Sequence, residues 1–143
     1  MFFDGLCEPR NPGGVATYGF VLYKDNVYLH SEYGLAAEPW GDNATNNVAE
    51  YTGMLKGLEW LVDKNLKEDL EVFGDSQLVI QQMNGKYKLR AAKLRPLHSR
   101  AKELSSQFTS ITFRWVQRED NREADRLCRE AYKNYRQQVK PTG

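Results

Sequence analysis

Cysteine and histidine are scarce in this 143-residue sequence, and long hydrophobic runs are missing. The two cysteines, Cys7 and Cys128, are too few for a disulfide framework and lack the CxxC spacing of a zinc site. We expect reduced thiols, and a single long-range bridge between the two is the alternative. The longest apolar run, near residues 18–23, is much shorter than the roughly 18 residues of a membrane span. Because the first residues also lack the features of a signal peptide, the sequence predicts a soluble cytoplasmic protein with no membrane partner.

Charge is unevenly distributed along a chain whose formal net charge is only +1. Residues 1–75 carry 5 basic and 13 acidic side chains, whereas residues 76–143 carry 15 basic and 6 acidic ones. No acidic residue occurs between Ser76 and Lys102, where seven basic residues occur. Such a segment can meet nucleic-acid phosphates, although a solvated helix face explains it as well.

Hydrophobic periodicity predicts a single α/β domain over residues 1–143. Period-two patterns indicate strands over residues 2–4, 17–24, 28–34, 70–74 and 111–116. Helical periodicity indicates helices over residues 47–64, 76–83 and 93–107, and a last helix that opens with a capping box of Asp120 and Glu123. Because the first strands form a meander and the later ones alternate with helices, the expected sheet is mixed. We expect a frayed tail over residues 136–143. The three tryptophans are expected in the core or at its edge: Trp40, Trp60 and Trp115.

Four acidic residues lie at the beginnings or ends of predicted elements: Asp4, Glu50, Asp75 and Asp125. Asp is depleted in strands, so Asp4 has little structural reason to lie in the first one. Gly53 and Gly57 follow Glu50 at helical spacing, which lets this helix face approach the sheet closely. Structural roles also fit the other acids, since Asp75 can cap a helix, Asp125 suits a helix N-terminus and Glu50 can be a surface residue.

Converging carboxylates repel one another, and this repulsion raises their pKa values unless a cation compensates. Mg²⁺ takes oxygen ligands at about 2.0–2.1 Å and retains waters, so a few carboxylates and a substrate phosphate suit it. Two such ions about 3.5–4 Å apart can activate a water and stabilise the leaving oxygen in phosphodiester hydrolysis. The four acids in combination therefore indicate metal-dependent phosphodiester chemistry, which none of them indicates alone.

At these residues the sequence resembles type 1 ribonuclease H, a family found in bacteria, archaea, eukaryotes and reverse transcriptases. The matching stretches occur in the family's order, over residues 3–5 with 11–14, 45–50, 74–79 and 121–125. The resemblance extends over almost the whole chain, from residue 2 to about residue 135. One such motif would be poor support, but four in order at compatible spacing make a strong signal.

The resemblance implies a ribonuclease H-like fold, in which a five-stranded mixed sheet, an antiparallel meander followed by parallel strands, is flanked by helices. It also implies an endonuclease that hydrolyses the RNA strand of RNA/DNA hybrids with Mg²⁺, or Mn²⁺ as a substitute, and leaves 5′-phosphate and 3′-hydroxyl ends. The catalytic and metal-binding positions of the family fall on Asp4, Glu50, Asp75 and Asp125. The family pattern assigns Asp4 and Asp75 to both metal ions, Glu50 to one and Asp125 to the other.

The resemblance also implies substrate contacts. Asn11, Asn46 and Gln77 match positions that contact the shallow minor groove of the hybrid, where 2′-hydroxyls distinguish RNA from DNA. Thr45 matches a position that contacts the backbone of the DNA strand. Each minor-groove residue also has a structural alternative: Asn11 can be a turn residue, Asn46 a helix cap and Gln77 a solvent-exposed side chain. We therefore expect recognition by shape and sugar, with RNA/DNA hybrid as substrate and RNA duplex as a further candidate.

Two features depart from many members of the family. The loop before the last acid, residues 116–121, has no histidine that could assist proton transfer or product release. Arg118 is the nearest replacement, and its permanently charged guanidinium can bind phosphate but cannot act as a base; a surface ion pair explains it equally well. The interval 85–93 is too short for the family's basic protrusion, so Lys86 and Lys88 are expected to supply part of that charge.

Two other functions stay open from the sequence alone. A catalytically silent hybrid-binding domain would keep the fold, although such relatives commonly lose an acid and all four are present here. Another nuclease of related fold, such as an exonuclease or a strand-transfer enzyme, is the second alternative. The Asn-rich turn before Glu50 and residues 74–77 favour ribonuclease H over these alternatives. We expect the protein to be a monomer.

Overall fold

In the computed structural model, which describes residues 1–138, strands and helices follow the order that periodicity predicts. The strands are β1 (Phe2–Glu8), β2 (Val15–Lys24), β3 (Val27–Leu35), β4 (Asp69–Gly74) and β5 (Ser110–Trp115). The helices are α1 (Asn46–Asp63), α2 (Gln77–Met83), α3 (Arg95–Ser105) and α4 (Arg122–Gln138), with 3-10 turns before α3 (Ala92–Leu94) and before α4 (Arg118–Asp120). None of the helices in the described range has the length and apolar character needed to cross a membrane.

The five strands form one mixed sheet in the order β3–β2–β1–β4–β5. β1, β2 and β3 are antiparallel neighbours, while β1 with β4 and β4 with β5 pair in parallel. Asp25 and Asn26, between β2 and β3, have φ values of 52° and 65°, the left-handed conformation that a tight two-residue hairpin turn requires. The predicted antiparallel meander followed by parallel strands is confirmed.

Helices cover both faces of this sheet. α1 packs on the face to which Phe3 and Phe20 point, and both side chains are completely buried in the core there. Burying an aromatic side chain of this size contributes roughly 1.5–3 kcal/mol of transfer free energy. α4 packs on the opposite face above Gly19, where a Cβ atom would lie 2.6 Å from Leu127 Cβ and would push the helix away. β1 and β2 are therefore held between the two helices that carry predicted site residues.

The start of α4 differs from its prediction. The chain forms a 3-10 turn over Arg118–Asp120, and α4 begins at Arg122, so Asn121 and not Asp120 directly precedes the helix. Asn121 is 1% exposed, and its side-chain amide donates a hydrogen bond to the Phe3 carbonyl at 2.8 Å. The predicted capping box of Asp120 and Glu123 is wrong, because this long-range bond to β1 fixes where the helix starts.

Two other predictions also need correction. Trp40 and Trp115 are 51% and 45% exposed, so they are not part of the core, whereas Trp60 packs at its edge as predicted. The α4 helix continues through Gln138, so residues 136–138 of the predicted frayed tail are helical. The rest of that predicted tail, residues 139–143, lies outside the described residues.

Candidate active site

Parallel pairing of β1 with β4 places two of the predicted acids side by side. Asp4 follows Phe3 on β1, and Asp75 follows Gly74 at the end of β4. Because Phe3 lies opposite Gly74 in the ladder, the next residue along each chain falls at the same level, and Asp75 comes to lie beside Asp4. Asp4 is 4% exposed, and its Oδ1 accepts a hydrogen bond from the Gly5 N–H at 2.9 Å. A buried carboxylate of fixed orientation therefore lies at the centre of the site.

Close packing of α1 on β1 adds a third acid. A Cβ atom on Gly5 would lie 2.4 Å from the backbone nitrogen of Glu50, so only glycine permits this approach. Gly53 faces the sheet in the same way, since its Cβ would lie 2.9 Å from the Asp4 carbonyl oxygen. The predicted close approach of this helix face is confirmed, and it leaves Glu50 only 4% exposed.

Two long-range hydrogen bonds fix the helix that carries the fourth acid. Asn121 bonds to the Phe3 carbonyl, and the Thr17 hydroxyl donates to the Cys128 carbonyl at 2.7 Å. These bonds hold the first two turns of α4 against β1 and β2. Asp125 lies between them, in the first turn of the helix, and is brought close to Asp4.

The four acids form two overlapping groups of possible metal ligands. Carboxylate oxygens of Asp4, Glu50 and Asp75 lie within 4.8 Å of one another, and the same holds for ligand atoms of Asp4, Asp125 and Cys128. Asp4 is the residue common to both groups. Buried oxygens of Glu50 (Oε2) and Asp75 (Oδ2) have no hydrogen-bond partner among the described residues. Oxygens left unpaired at such close range fit a divalent cation such as Mg²⁺, which prefers oxygen ligands.

Burial and mutual repulsion raise the pKa values of the two innermost acids. The pKa of Asp4 rises from 3.8 to about 7, first because burial disfavours its charge and second because Asp75 is close. The pKa of Glu50 is raised well above its ordinary value by burial and then by the charge of Asp4. A bound cation would oppose both effects, since an opposite charge at close range favours the ionised carboxylate.

An open pocket of about 420 Å³ is lined by all four acids. Arg118 and Arg129 line the same pocket, as do Asn46, Ser76 and Trp115. Arg118 lies in the 3-10 turn before α4 and is exposed. Its position beside the acids fits the phosphate contact predicted for it, and the structure shows no ion pair between Arg118 and an acid among the described residues.

Three predicted substrate residues lie at or near the beginning of α1. Asn46 lines the pocket, and its backbone N–H donates to Asn11 Oδ1 at 3.0 Å. Thr45 caps α1, since its Oγ1 accepts a hydrogen bond from the Val48 N–H at 3.0 Å. Asn11 therefore has a structural role, as the sequence left open, whereas the helix-capping role considered for Asn46 belongs to Thr45.

The other predicted substrate residues do not line the pocket. Gln77 is the first residue of α2 and is exposed, two positions after Asp75. Lys86 and Lys88 are exposed beyond the end of α2. Their predicted roles require a substrate that extends from the pocket along α2.

Three side chains contact the acids without having been predicted to do so. Arg129 Nε donates to both carboxylate oxygens of Asp125, at 3.2 and 3.0 Å. The buried Cys128 has its Sγ 3.8 Å from Asp4 Oδ2, and Trp115 Nε1 donates to the Asp75 carbonyl at 3.2 Å. Only the Asp125–Arg129 contact had a signal in the sequence, because an acid and an arginine four residues apart share a helix face.

Comparisons with known proteins agree on one family. Residues 3–131 match the family described as Reverse transcriptase-like. The chain is 40% identical over 122 residues to the bifunctional protein Rv2228c of Mycobacterium tuberculosis, an alignment that covers 85% of this chain and 32% of that protein. It is 38% identical over 133 residues to Ribonuclease HI of Halobacterium salinarum, covering 91% of this chain and 62% of that protein. The chain thus spans less than two thirds of the length of these curated relatives.

Solved structures of these two relatives and of a third protein match the whole fold. The N-terminal RNase H domain of Rv2228c superposes with a TM-score of 0.83 at 34% identity, covering 96% of both chains. RNase H1 of Halobacterium salinarum gives a TM-score of 0.81 at 31% identity, covering 93% of this chain and 96% of that one. LC11-RNase H1, solved in complex with RNA/DNA hybrid, gives 0.82 at 29% identity over 94% and 96%. By sequence and by fold, the chain belongs to the Reverse transcriptase-like family and, within it, to the type 1 ribonuclease H group.

Proposed function

We propose that this chain is an endonuclease that hydrolyses the RNA strand of RNA/DNA hybrids. The observation that carries the proposal is the convergence of Asp4, Glu50, Asp75 and Asp125 on one open pocket. Family membership supports the same reaction, and LC11-RNase H1, a relative of the same fold, has been solved with such a hybrid. Hydrolysis would leave 5′-phosphate and 3′-hydroxyl ends.

Divalent cations complete the proposed site. Asp4 would hold two ions, one together with Glu50 and Asp75 and the other together with Asp125, which follows the two overlapping ligand groups. The resemblance assigned Asp75 to both ions, but only Asp4 belongs to both groups, so Asp75 is proposed for the first ion alone. Mg²⁺, or Mn²⁺ as a substitute, would supply Lewis-acid activation of the attacking water and stabilisation of the leaving oxygen. The unpaired buried oxygens of Glu50 and Asp75 support this assignment, because a cation satisfies them without a hydrogen-bond donor.

The remaining residues of the site position these groups. The Gly5 N–H fixes one oxygen of Asp4, and the bond from Asn121 to the strand fixes the distance between Asp4 and Asp125. Arg118 is proposed to bind a phosphate of the RNA strand at the pocket. Since a guanidinium stays protonated, Arg118 would donate hydrogen bonds and would not remove a proton.

Substrate selection is proposed to follow the shape and sugars of the hybrid. Minor-groove contacts from three side chains would read the 2′-hydroxyls that distinguish RNA from DNA. The proposed contacts are Asn11, Asn46 and Gln77 in the minor groove, Thr45 on the DNA backbone, and Lys86 and Lys88 on phosphates. Each phosphate neutralised by a lysine would make binding more sensitive to salt. RNA duplex is a second candidate substrate, because it also displays 2′-hydroxyls.

We further propose that the chain acts as a single catalytic domain and as a monomer. All four acids and the two pocket arginines come from one chain, so the pocket needs no residue from a second copy. Sedimentation of the protein with and without hybrid would test this directly. A dimer whose dissociation abolishes cleavage would contradict it.

Cleavage of end-labelled substrates tests the proposed reaction. RNA/DNA hybrid, single-stranded RNA, DNA duplex and RNA duplex would be incubated with Mg²⁺ or Mn²⁺, with chelator as the control. We expect internal cuts in the RNA strand of the hybrid, products with 5′-phosphate ends, and no cleavage after chelation. Stepwise release of terminal nucleotides would indicate an exonuclease instead. Tight hybrid binding without cleavage under either metal would indicate a silent binding domain, and either result would overturn the proposal.

A further inference from the structure

Arg129 forms an ion pair with one of the four site acids. It lies one helical turn after Asp125 on α4, and its Nε donates to both carboxylate oxygens, at 3.2 Å to Oδ1 and 3.0 Å to Oδ2. The Arg129 side chain is 56% exposed and that of Asp125 is 24% exposed, so the pair lies at the pocket edge. Both oxygens of Asp125 are thus engaged by a cationic group of the chain itself.

The other three acids have no such partner among residues 1–138. Within residues 1–138, the ion pairs that involve carboxylates join His30 to Glu32, Arg100 to Glu103, Arg126 to Glu123 and Arg129 to Asp125. None of them reaches the group of Asp4, Glu50 and Asp75, where buried oxygens are left without a hydrogen bond. The site is therefore asymmetric, since Asp125 pairs with Arg129 and the other three acids have no counter-charge within the described part of the chain.

We infer that Arg129 competes with the divalent cation for Asp125 and thereby weakens metal binding to the Asp4–Asp125 group. This inference rests on the proposed function, which places a cation between those two carboxylates. A cation there needs an oxygen lone pair of Asp125 and repels the guanidinium that already faces both oxygens. Arg129 is a positioning residue in this scheme, since it acts on the metal site through Asp125.

Competition has a consequence for the order of events at the site. An ion that uses the remaining lone pairs of Asp125 would repel the guanidinium and favour its rotation away from the carboxylate. Because Arg129 lines the pocket, a guanidinium turned away from Asp125 would be available to a phosphate of a bound hybrid. A hybrid would therefore favour metal loading by giving the displaced guanidinium an anionic partner.

Direct measurement of Mn²⁺ binding tests the inference without relying on activity. Binding would be followed by the electron paramagnetic resonance signal of free Mn²⁺ at low salt, in the absence of hybrid, for the intact protein and Arg129→Gln. We expect Arg129→Gln to bind the ion about two- to fivefold more tightly, the range that loss of a partly exposed ion pair allows. Arg129→Lys, which keeps the charge but loses the planar group, should fall between the two.

Arg126→Gln is the matched control. Arg126 lies on the same helix and pairs with Glu123 at 3.1 Å, three residues away, but it does not line the pocket. We expect its Mn²⁺ affinity to equal that of the intact protein. Asp125→Asn should lose the ion affected by Arg129→Gln, which shows that the change arises at this carboxylate. Raising the salt concentration should bring the intact protein and Arg129→Gln closer together, because salt screens exposed ion pairs.

Equal or weaker Mn²⁺ binding by Arg129→Gln would overturn the inference, and weaker binding would mean that Arg129 orients Asp125 for the metal. Hybrid cleavage by the intact protein, measured on the same preparation, separates this failure from failure of the proposed function. If the intact protein cleaves the hybrid while Arg129→Gln shows no gain in affinity, only the inference fails. If the intact protein neither cleaves nor binds Mn²⁺, the proposed function fails and the inference fails with it.

Discussion

Replacing Asp4 by Asn should stabilise the metal-free protein while removing a proposed catalytic residue. Asp4 is buried beside two other acids, and its pKa is raised from 3.8 to about 7, chiefly by burial. Asn has nearly the same shape and carries no charge. Its Oδ1 can still accept the Gly5 N–H, and the loss of the carboxylate removes a negative charge beside Glu50 and Asp75. The substitution therefore removes both the cost of burying a charge and the repulsion among the acids.

The size of the effect depends on pH in a defined direction. Between about pH 4 and pH 7 the folded protein holds a proton on Asp4 that the unfolded chain has already released. The free energy of unfolding therefore falls as pH rises through this window, and the whole loss is present above pH 7. One pKa unit corresponds to about 1.4 kcal/mol, so the upper limit for Asp4 is about 4 kcal/mol. We expect Asp4→Asn to gain about 2–4 kcal/mol at pH 8 and close to nothing at pH 4.

Urea unfolding in the presence of chelator at pH 8 and at pH 4 measures this difference. Asp42→Asn is a suitable control, because Asp42 is an exposed loop acid and its replacement should change the free energy of unfolding little at either pH. Saturating Mg²⁺ at pH 8 should stabilise the intact protein more than Asp4→Asn, since it binds the folded carboxylates. An Asp4→Asn variant that is less stable than the intact protein at pH 8 without metal would refute the reasoning.

Three further predictions follow from packing and burial. Gly5→Ala would place a Cβ atom 2.4 Å from the backbone of α1 and should lower the free energy of unfolding by about 3 kcal/mol or more, measured by thermal denaturation. The comparison is Gly85→Ala, whose Cβ would meet nothing within 4 Å, so that only the positive φ of Gly85 makes this substitution unfavourable. Tyr51→Phe would leave Gln82 Oε1 without its buried 2.6 Å bond and should cost about 1–3 kcal/mol in urea unfolding. Cys7 and Cys128 are buried, and burial raises the pKa values of their thiols. Both should therefore resist alkylation in the folded protein at pH 8 and react once it is unfolded. Rapid labelling of the folded protein, detected by mass spectrometry, would contradict this.

Periodicity predicted the elements of this fold because each one buries a face of regular spacing. The predicted bounds of β2, β3 and α1 lie within a few residues of the observed ones, since their apolar residues alternate or repeat at helical spacing. The first strand extends to Glu8, beyond its predicted end at Asp4, because pairing with β2 continues along the whole strand. Local pattern shows where an element is, whereas its length depends on its partner.

The start of α4 shows what local pattern misses. Asp120 and Glu123 have the spacing of a capping box, but the helix begins two residues after Asp120 because Asn121 is held by the carbonyl of Phe3. That bond joins residues 118 positions apart, and no window of sequence contains both partners. The exposed Trp40 and Trp115 were misplaced for a related reason, since their indole N–H groups bond to Tyr135 and to the Asp75 carbonyl at the surface.

The acids of the site were predicted from their positions, but their arrangement was not. Asp4 and Asp75 become neighbours only through the parallel register of Phe3 with Gly74. The sharing of Asp4 between two ligand groups depends likewise on how α1 and α4 approach opposite faces of the sheet. Arg129 was overlooked because an arginine four residues after an acid is common on helix surfaces, and only the pocket distinguishes it from Arg126.

Single-turnover cleavage of an RNA/DNA hybrid by the intact protein and by Asp75→Asn tests the central claim most directly. Asp75→Asn should lose at least about 100-fold in rate with Mg²⁺, because even the outer partners of metal ligands contribute 10- to 100-fold. Its hybrid affinity, measured on the same samples, should stay within a few-fold, and Asp42→Asn should cleave like the intact protein. Cleavage by Asp75→Asn at the rate of the intact protein would contradict the claim that the carboxylate cluster is the catalytic centre.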